Sequence, residues 1–482
     1  MIELKEEESG LCKKISEAAS ELGMPARVIG GYVRDKILGR ANKDLDIVCV
    51  GDGIKLAERV ASKFASRPKV NFFKNFGTAQ IRIIAEDGYP YEVEFVGARR
   101  ESYHPESRKP DVAPAGFEED MMRRDFTINT LALDLSGDNF LQLIDVLGGV
   151  ADLNEKIIRT PLPPDQTFID DPLRMMRAIR FASQLQFRIH PDTWHSIKRT
   201  ADRIKIISQE RIIDEINKIV LSSRPSVGFK LLFECGLLHI IFPQMSALAG
   251  TEYIDGKGHK DNFYHTLEVL DNISGKSDNL WLRWAAILHD IAKPVTKRFE
   301  PGNGWTFHGH EVVGGRMVPK IFAQLKLPQN ENMRFVRKMV ELHLRPISLT
   351  KENITDSAIR RLLVDAGDDI ESLMQLCKAD ITTKNRQKMQ QYLANFEWVE
   401  QRLKEVEASD HLRNWQPPIT GQIIMEEFGL PPSREVGNIK TAVREAILDG
   451  VIPNQYEEAF RFMLKVAEEM GIKHPNPPSG NS

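Results

Sequence analysis

The sequence predicts an α+β protein, a small mixed-sheet head followed by an all-helical neck, body and tail. Three observations lead there. Up to about residue 150, short apolar runs alternate with amphipathic stretches, the pattern of strands packed beside helices. Beyond Asp152 apolar residues recur at helical spacing and everything reads as helix. Loops rich in glycine or proline break that helical part, at GTEYIDGKGHKDN near residues 245–261 and at NWQPPI near residues 414–419. The expected boundaries follow: a head over 1–150, a neck over 151–245, a body over 246–413 and a tail over 414–482 ending in a disordered PNPPSGNS. A chain of 482 residues also outgrows a single core.

Within the head, residues 9–22 have helical periodicity, and Gly23-Met24-Pro25 breaks it before a short strand at 26–29. Gly30-Gly31 opens a helix, residues 45–50 form a second strand, and segments 76–84 and 91–96 supply two more. Mixed signals end near residues 143–149. Hydrophobic residues make up 41% and charged residues 28%, enough apolar material for real cores and against wholesale disorder. The opening MIELKEEESG is acidic where a secretory leader is basic and then apolar, and no apolar run reaches membrane-spanning length. A cytoplasmic protein with no membrane partner is expected. Cys12, Cys49, Cys235 and Cys377 are scattered without a CxxC pair, so they should fill cores rather than form disulfides or a zinc site. With a net charge of −3, nucleic-acid binding has to come from local patches. Lys198-Arg199 with Arg203 and Lys205, and Lys293 with Lys297 and Arg298, are candidates that a solvated helix face also explains.

The strongest chemical signal is GGYVRD (residues 30–35) followed by Asp44-Leu45-Asp46 at the start of an apolar strand. Residues i and i+2 of a strand share a face, so Asp44 and Asp46 present two carboxylates together, with Leu45, Ile47 and Cys49 opposite. Paired carboxylates repel unless a cation sits between them, and Mg²⁺ with triphosphate oxygens is the usual answer. Gly30 and Gly31 let the main chain approach a phosphate, the helix N-terminus aims N–H groups at it, and Arg34 adds a charge-assisted contact. Glu94 in YEVEF is a candidate third carboxylate. In MMRRDFTINTLALD (residues 121–134), Arg123 and Arg124 suit a triphosphate and Asp125 suits ribose hydroxyls. A tight loop, a strand end and a surface charge cluster explain each motif alone, but not all of them in this order.

These motifs closely resemble the class II tRNA nucleotidyltransferases, the bacterial CCA-adding enzymes and poly(A) polymerases of the DNA polymerase β-like superfamily. The resemblance covers most of the chain. It implies a polymerase β-like nucleotidyltransferase head over 1–150 with Asp44 and Asp46 as metal ligands, Gly31 and Arg34 in the first nucleotide-binding motif, and Arg123, Arg124 and Asp125 in the triphosphate and ribose motif. In DDPLRMMRAIRFASQL (residues 170–185), Asp171, Arg174, Arg177 and Arg180 recur at three-residue steps, a drifting stripe on a helix, with Met175, Met176, Ile179 and Phe181 left for the core. The family's EDxxR motif in that place selects the base, though Asp170 replaces its glutamate here. A carboxylate accepts from the exocyclic amine of C or A, and an arginine donates to the ring nitrogen beside it; U and G fail both tests. The following ERIIDEI resembles a helix-stabilising motif that orients the base-reading helix through Glu210, Arg211 or Glu215.

In the body, His265, His289, Asp290, His310, His343 and Asp380 occur in the order expected of the HD phosphohydrolase superfamily, with His308 competing with His310. A lone buried histidine is usually a core residue, but an adjacent His–Asp in an apolar helix with further His and Asp downstream points to a ligand set. Such ligands suit Mg, Mn, Ni, Fe or Zn as a second divalent metal, for phosphate removal at RNA ends or as a structural relic. The expected function is CCA addition to tRNA 3′ ends from CTP and ATP without a template, using Mg²⁺ in the head. The partners are then tRNA, CTP and ATP, with no obligatory protein partner.

Poly(A) polymerase is the nearest alternative, but FKNFGTAQIRI (residues 73–83) lacks the basic G[RK][RK]F-type signature. CC-adding and A-adding enzymes remain open; segment 99–116 looks full length, unlike the CC-adding type. An HD-type phosphohydrolase with an RNA-binding head is argued against by the intact Asp44/Asp46 pair, and a non-catalytic RNA-binding protein leaves both constellations unexplained. Segment 419–440 resembles a tail module of such enzymes, without an assigned role.

Overall fold

Helical periodicity at the start of the chain becomes α1 (Glu6–Glu21), ended where Gly23 takes a positive φ of 63°. A computed structural model of the chain describes residues 2, 4–73, 77–84, 88–102, 111–254, 256–350, 355–410 and 415–474. These fall into two compact units, Met1–Ser246 and Ala247–Ser482.

The first unit continues through β1 (Ala26–Ile29), α2 (Gly31–Ile37), β2 (Asp44–Cys49), α3 (Gly53–Ser62), β3 (Val70–Phe73), β4 (Thr78–Ile84) and β5 (Pro90–Gly97). A hairpin of β6 (Arg99–Ser102) and β7 (Asp111–Pro114), helix α4 (Phe117–Met122), β8 (Ala132–Asp134) and β9 (Leu143–Ile144) complete the head. Seven strands form one mixed sheet in the order β3-β4-β5-β2-β1-β8-β9. Only β2 and β5 run parallel among its neighbours. Leu45, Ile47 and Cys49 of β2 are fully buried, each apolar side chain contributing about 1.5–3 kcal/mol, and they fix which face carries the aspartates. Asp52 caps α3, accepting from the N–H of Ile54 at 2.9 Å and Lys55 at 3.2 Å. Residues 74–76 of the FKNFGTAQIRI segment and 103–110 of the loop read as full length lie outside the described residues.

The neck runs through α5 (Gly149–Glu155), β10 (Ile157–Ile158), α6 (Pro164–Asp170), α7 (Leu173–Leu185), β11 (Arg188–Ile189), α8 (Pro191–Thr200), α9 (Gln209–Val220), α10 (Pro225–Glu234), α11 (Leu237–Ile241) and α12 (Pro243–Ser246). Helix α7 packs against α9 and α10, burying Met175, Met176, Ile179 and Phe181 as its sequence pattern requires.

The second unit opens with β12 (Tyr253–Ile254) and β13 (Lys257–Gly258), then α13 (Asn262–Ser274), α14 (Leu280–Leu288), α15 (Lys293–Thr296), β14 (Arg298–Glu300), β15 (Gly304–Thr306), α16 (His310–Leu325) and α17 (Glu331–Leu342). Then come α18 (Arg345–Ser348), α19 (Asp356–Ala366), α20 (Ile370–Ala379) and α21 (Arg386–Asp410). Helices α13, α14, α17 and α20 pack on one another. The last helices, α22 (Gly421–Phe428), α23 (Arg434–Leu448) and α24 (Tyr456–Glu469), share a core of Ile419, Ile424, Ile439, Val443 and Met463. The terminal PNPPSGNS lies outside the described residues.

The expectation of helix alone beyond Asp152 is corrected. Three small ladders interrupt it, β10 with β11, β12 with β13 and β14 with β15. Strands of two or three residues are too short to show a period of two. All four cysteines are buried and free, and among the described residues no helix is long and apolar enough to cross a membrane.

Candidate functional sites

Strand β2 presents Asp44 and Asp46 on one face, and its parallel register sets Glu94 of β5 beside Asp46. Asp44 and Glu94 are exposed and Asp46 is half buried. Burial is the largest influence on the Asp46 carboxyl; Glu94 and Asp44 add repulsion, Arg124 and Arg177 oppose, and the result is a rise to about 6. An all-carboxylate donor set that resists its own charge fits a hard divalent cation. Gly30 ends β1 at a φ of +82°, and a Cβ there would lie 3.5 Å from Asp46 Oδ2 and 3.7 Å from Arg124 Nη1. The glycine turn, the carboxylate and the arginine therefore converge.

A hydrogen-bonded chain links this point to α7. Arg34 Nη1 donates to Asn129 Oδ1 at 2.7 Å, Asn129 Nδ2 donates to Asp125 Oδ1 at 2.9 Å, and Arg177 Nε donates to Asp125 Oδ2 at 2.7 Å. Burial raises the Asp125 carboxyl, but Arg177, Asn129 and Arg174 overcome it and hold it at about 2. Arg123 and Arg124 are both held by the fully buried Asp120, at 2.7 and 3.0 Å, and Arg123 also lies 3.1 Å from Glu101. Neither Asp120 nor Asn129 stands out in sequence reasoning. A carboxylate three and four residues before two arginines is nonetheless a helical pairing pattern that marks Asp120.

Arg174, Arg177 and Arg180 lie on α7, but Asp171 does not, which corrects the expected four-residue stripe. Asp171 stands at the corner between α6 and α7 because Pro172 starts a helix rather than continuing one. Its Oδ1 accepts from Leu173 N at 3.1 Å and its Oδ2 lies 3.3 Å from Arg211 Nη2. Arg174 Nη2 donates to the Arg123 carbonyl at 2.6 Å, and Arg180 Nε lies 3.1 Å from Glu215 Oε2. Arg174 and Arg180 are each 8% exposed, so this is no solvated helix face. Burial lowers the Arg180 guanidinium to about 10 against the pull of Glu215. Arg34, Arg177 and Arg180 gather on the Phe181 ring at 4.9, 5.5 and 4.2 Å. Of the three orienting candidates, Arg211 and Glu215 make these contacts while Glu210 is exposed.

In the second unit His265, His289, Asp290, His310, His343 and Asp380 gather in one place. The ligand atoms of His265, His289 and Asp290, and those of Asp290, His310 and His343, form two groups within 4.8 Å. His289, His310 and His343 each bond through Nδ1 to a main-chain carbonyl three residues earlier, at 2.8, 2.8 and 2.7 Å. That commits the Nδ1 proton and turns each Nε2 lone pair inward. These Nε2 atoms have no hydrogen-bond partner among the described residues. Yet His289 and His310 place them 3.2 Å from Asp290 oxygens. A lone pair facing a carboxylate needs a cation between, and the cluster fits a divalent metal on that ground. The same demand appears in His289: burial lowers its imidazole, but Asp290 and Asp380 raise it to about 10. His343, buried beside His289, falls to about 4. His265 Nε2 lies 2.8 Å from Asp380 Oδ1, and its Nδ1 lies 3.1 Å from both Lys260 Nζ and Thr382 Oγ1.

His308 is exposed and pairs with Glu300 at 3.7 Å, so His310 joins the cluster in its stead. Lys293, grouped in the sequence with basic residues for an RNA backbone, lies 2.6 Å from Asp290 Oδ2 and belongs to this site. The spacing Asp290 to Lys293, one helical turn, is the signal that could have shown it.

The fold and the head site are those of a nucleotidyltransferase. Residues 26–159 match the poly A polymerase head domain, 186–248 the probable RNA- and SrmB-binding site of polymerase A, and 262–383 the HD domain. The chain is 30% identical over 365 residues to the A-adding tRNA nucleotidyltransferase of Deinococcus radiodurans, covering 74% of this chain and 81% of that one. It is 32% identical over 312 residues to the multifunctional CCA protein of Pseudomonas fluorescens, covering 62% and 70%. The fold matches the CCA-adding enzyme of Bacillus stearothermophilus solved with CTP at a TM-score of 0.65 and 22% identity, over 97% of this chain and 99% of that one. The chain belongs to the class II tRNA nucleotidyltransferase family, the CCA-adding enzymes and their relatives. The polymerase-type head, the HD domain and the buried ligand groups together indicate divalent-metal use.

Proposed function

We propose that the protein adds C, C and A to the tRNA 3′ end from CTP and ATP without a nucleic-acid template. The observation that carries this is the convergence of Asp46, the Gly30 turn and Arg124, joined through Asn129 and Asp125 to the arginines of α7. The RNA 3′-hydroxyl attacks the α-phosphate, the P–O bond to the β-phosphate breaks, and pyrophosphate leaves. Asp44 and Asp46, with Glu94 beside them, would hold Mg²⁺, whose chemistry there would be to activate the attacking oxygen and offset charge on the leaving oxygens. Gly30 and Gly31 bring the main chain to the phosphates, Arg34, Arg123 and Arg124 neutralise the triphosphate, and Asp125 serves the ribose. Asp171, at the corner before α7, and Arg174, on it, read the Watson–Crick edge, with Arg177 and Arg180 fixing that helix. Arg123, Arg124 and Arg177 already have carboxylate partners, so a triphosphate competes with Asp120 and Asp125 for them.

The names of the relatives support this reading. The Deinococcus name favours a second one, addition of the terminal A alone. The division into a nucleotidyltransferase head over 1–150, a neck over 151–245, an HD-type body over 246–413 and a tail over 414–482 is part of the proposal; the matched segments and the break after Ser246 support it. The body cluster holds a second divalent ion, of Mg, Mn, Ni, Fe or Zn, and suits phosphate removal at RNA ends. The setting is cytoplasmic, with tRNA, CTP and ATP as partners. The test is incorporation of each labelled nucleoside triphosphate, singly and in pairs, into a tRNA transcript. Uptake of C and A but not U or G is expected; uptake of all four, or of none, would overturn the base-reading assignment.

A further inference from the structure

The glycine-rich break near the start of the second unit is not used by the proposed reaction, yet its described residues pair as a short hairpin. Strand β13 lies against β15, so the β12–β13 and β14–β15 hairpins form one surface. Tyr253 is 74% exposed and its ring lies across Gly258, where a Cβ would come within 2.4 Å of the ring. Glycine is required there for the ring to lie flat with its outer face open. Trp305 is fixed by its Nε1 donating to the Lys257 carbonyl at 3.1 Å, with Lys297 Nζ 4.7 Å from its ring centre. His259 packs edge-on against Trp305 and Phe307 at 5.4 and 5.9 Å. Phe307 in turn lies 5.6 Å from Lys293 Nζ, which reaches Asp290 of the buried cluster.

The rings thus run Trp305, His259, Phe307 towards the cluster, with Lys257, Lys260 and Arg298 exposed along them. At their inner end is a cavity of about 490 Å³, lined among others by Lys260, Lys293, Phe307, Tyr392, Phe396 and Asp380. That volume suits one nucleotide. Its walls pair two ammonium groups with three aromatic rings. Fixed rings interleaved with cations grip single-stranded nucleic acid, because every base has a face to stack and every linkage a phosphate to pair.

We propose that the two hairpins form a docking track for the single-stranded 3′ end of an RNA. The cavity receives the terminal nucleotide, and Lys260 and Lys293 meet a phosphate on it. The inference rests on reading the chain as an enzyme of RNA 3′ ends, but it requires no hydrolysis at the cluster. The test uses the full-length protein and a 3′-phosphorylated oligoribonucleotide carrying 4-thiouridine next to its end. Irradiation should crosslink it to peptides containing Tyr253, His259 or Trp305. Replacing both Tyr253→Ala and Trp305→Ala should weaken binding about tenfold or more, Trp305→Phe should keep most of it, and none of these should alter nucleotide addition to tRNA. Crosslinks confined to residues 1–246, unchanged affinity in the double variant, or a 3′-phosphorylated mononucleotide bound as tightly as the oligomer would each overturn the track. Hairpin crosslinks in a protein that adds no nucleotide would leave the track standing and remove the proposed function.

Discussion

The carboxylate cluster of the head and the histidine cluster of the body are built to opposite plans. In the body, imidazoles are locked by main-chain carbonyls, and their free nitrogens already face Asp290. In the head, the carboxylates lie at a partly open sheet face, and the surrounding cations are bound to carboxylates of the protein itself. The body site is preassembled for an ion. On the proposed function the head site is poised for exchange, its arginines held close by partners that a triphosphate would displace. Preassembly suits tight retention of a small cation, whereas exchangeable pairing suits a substrate that enters and leaves in each cycle.

The sharpest way to break this contrast is to disable one site and read the other. Asp44→Ala or Asp46→Ala should lower nucleotide addition by about three orders of magnitude or more, measured by label incorporation, while divalent-metal content of the body, measured by elemental analysis, stays unchanged. His343→Ala should do the converse, weakening metal retention in the body about a hundredfold in a chelator titration and leaving addition within about twofold of the parent. A large loss of addition in His343→Ala would mean that the sites are coupled. If Arg174 reads the base as proposed, Arg174→Ala should cut discrimination of CTP over UTP by about tenfold or more. Asp120→Asn sharpens the idea of held arginines: KM for CTP and ATP should rise about tenfold with kcat moving less, and an unchanged KM would remove Asp120 from the site.

The smallest effect concerns acid stability. Asp125 is held at about 2 against an ordinary 3.8, so its contribution is fully present above about pH 4 and is lost as pH falls towards 2. Asp125→Asn should remove about 2 kcal/mol of that dependence, seen as a flatter acid limb in urea unfolding between pH 4 and 2. An unchanged acid limb would show that Arg177 does not hold the carboxylate in the folded protein.

Much of this was legible in the sequence where chemistry and local periodicity coincide. Asp44 and Asp46 share a face because strands alternate, and the body residues could be picked out because His289-Asp290 follows an apolar run, although α14 ends at Leu288 and leaves the pair at its C-terminal turn rather than inside it. Three things were hidden, each for a physical reason. The placement of Asp171 turns on Pro172, which begins a new helix in the middle of an apparently continuous stripe. The pairing of Asp125 with Arg177 joins residues 52 apart, and only tertiary packing sets it. The hairpins around Tyr253 and Trp305 are too short for a pattern, and glycine there read as a break rather than as a seat for a ring.

The most direct test of the central claim, that one head site builds the whole tRNA end, is to sequence the product. The purified protein with Mg²⁺, CTP and ATP would be given a tRNA transcript ending at its discriminator base. The account predicts new ends reading CCA and then no further growth. Addition only to a transcript already ending in CC would establish the A-adding reading instead, and long A tails or unextended ends would contradict the account.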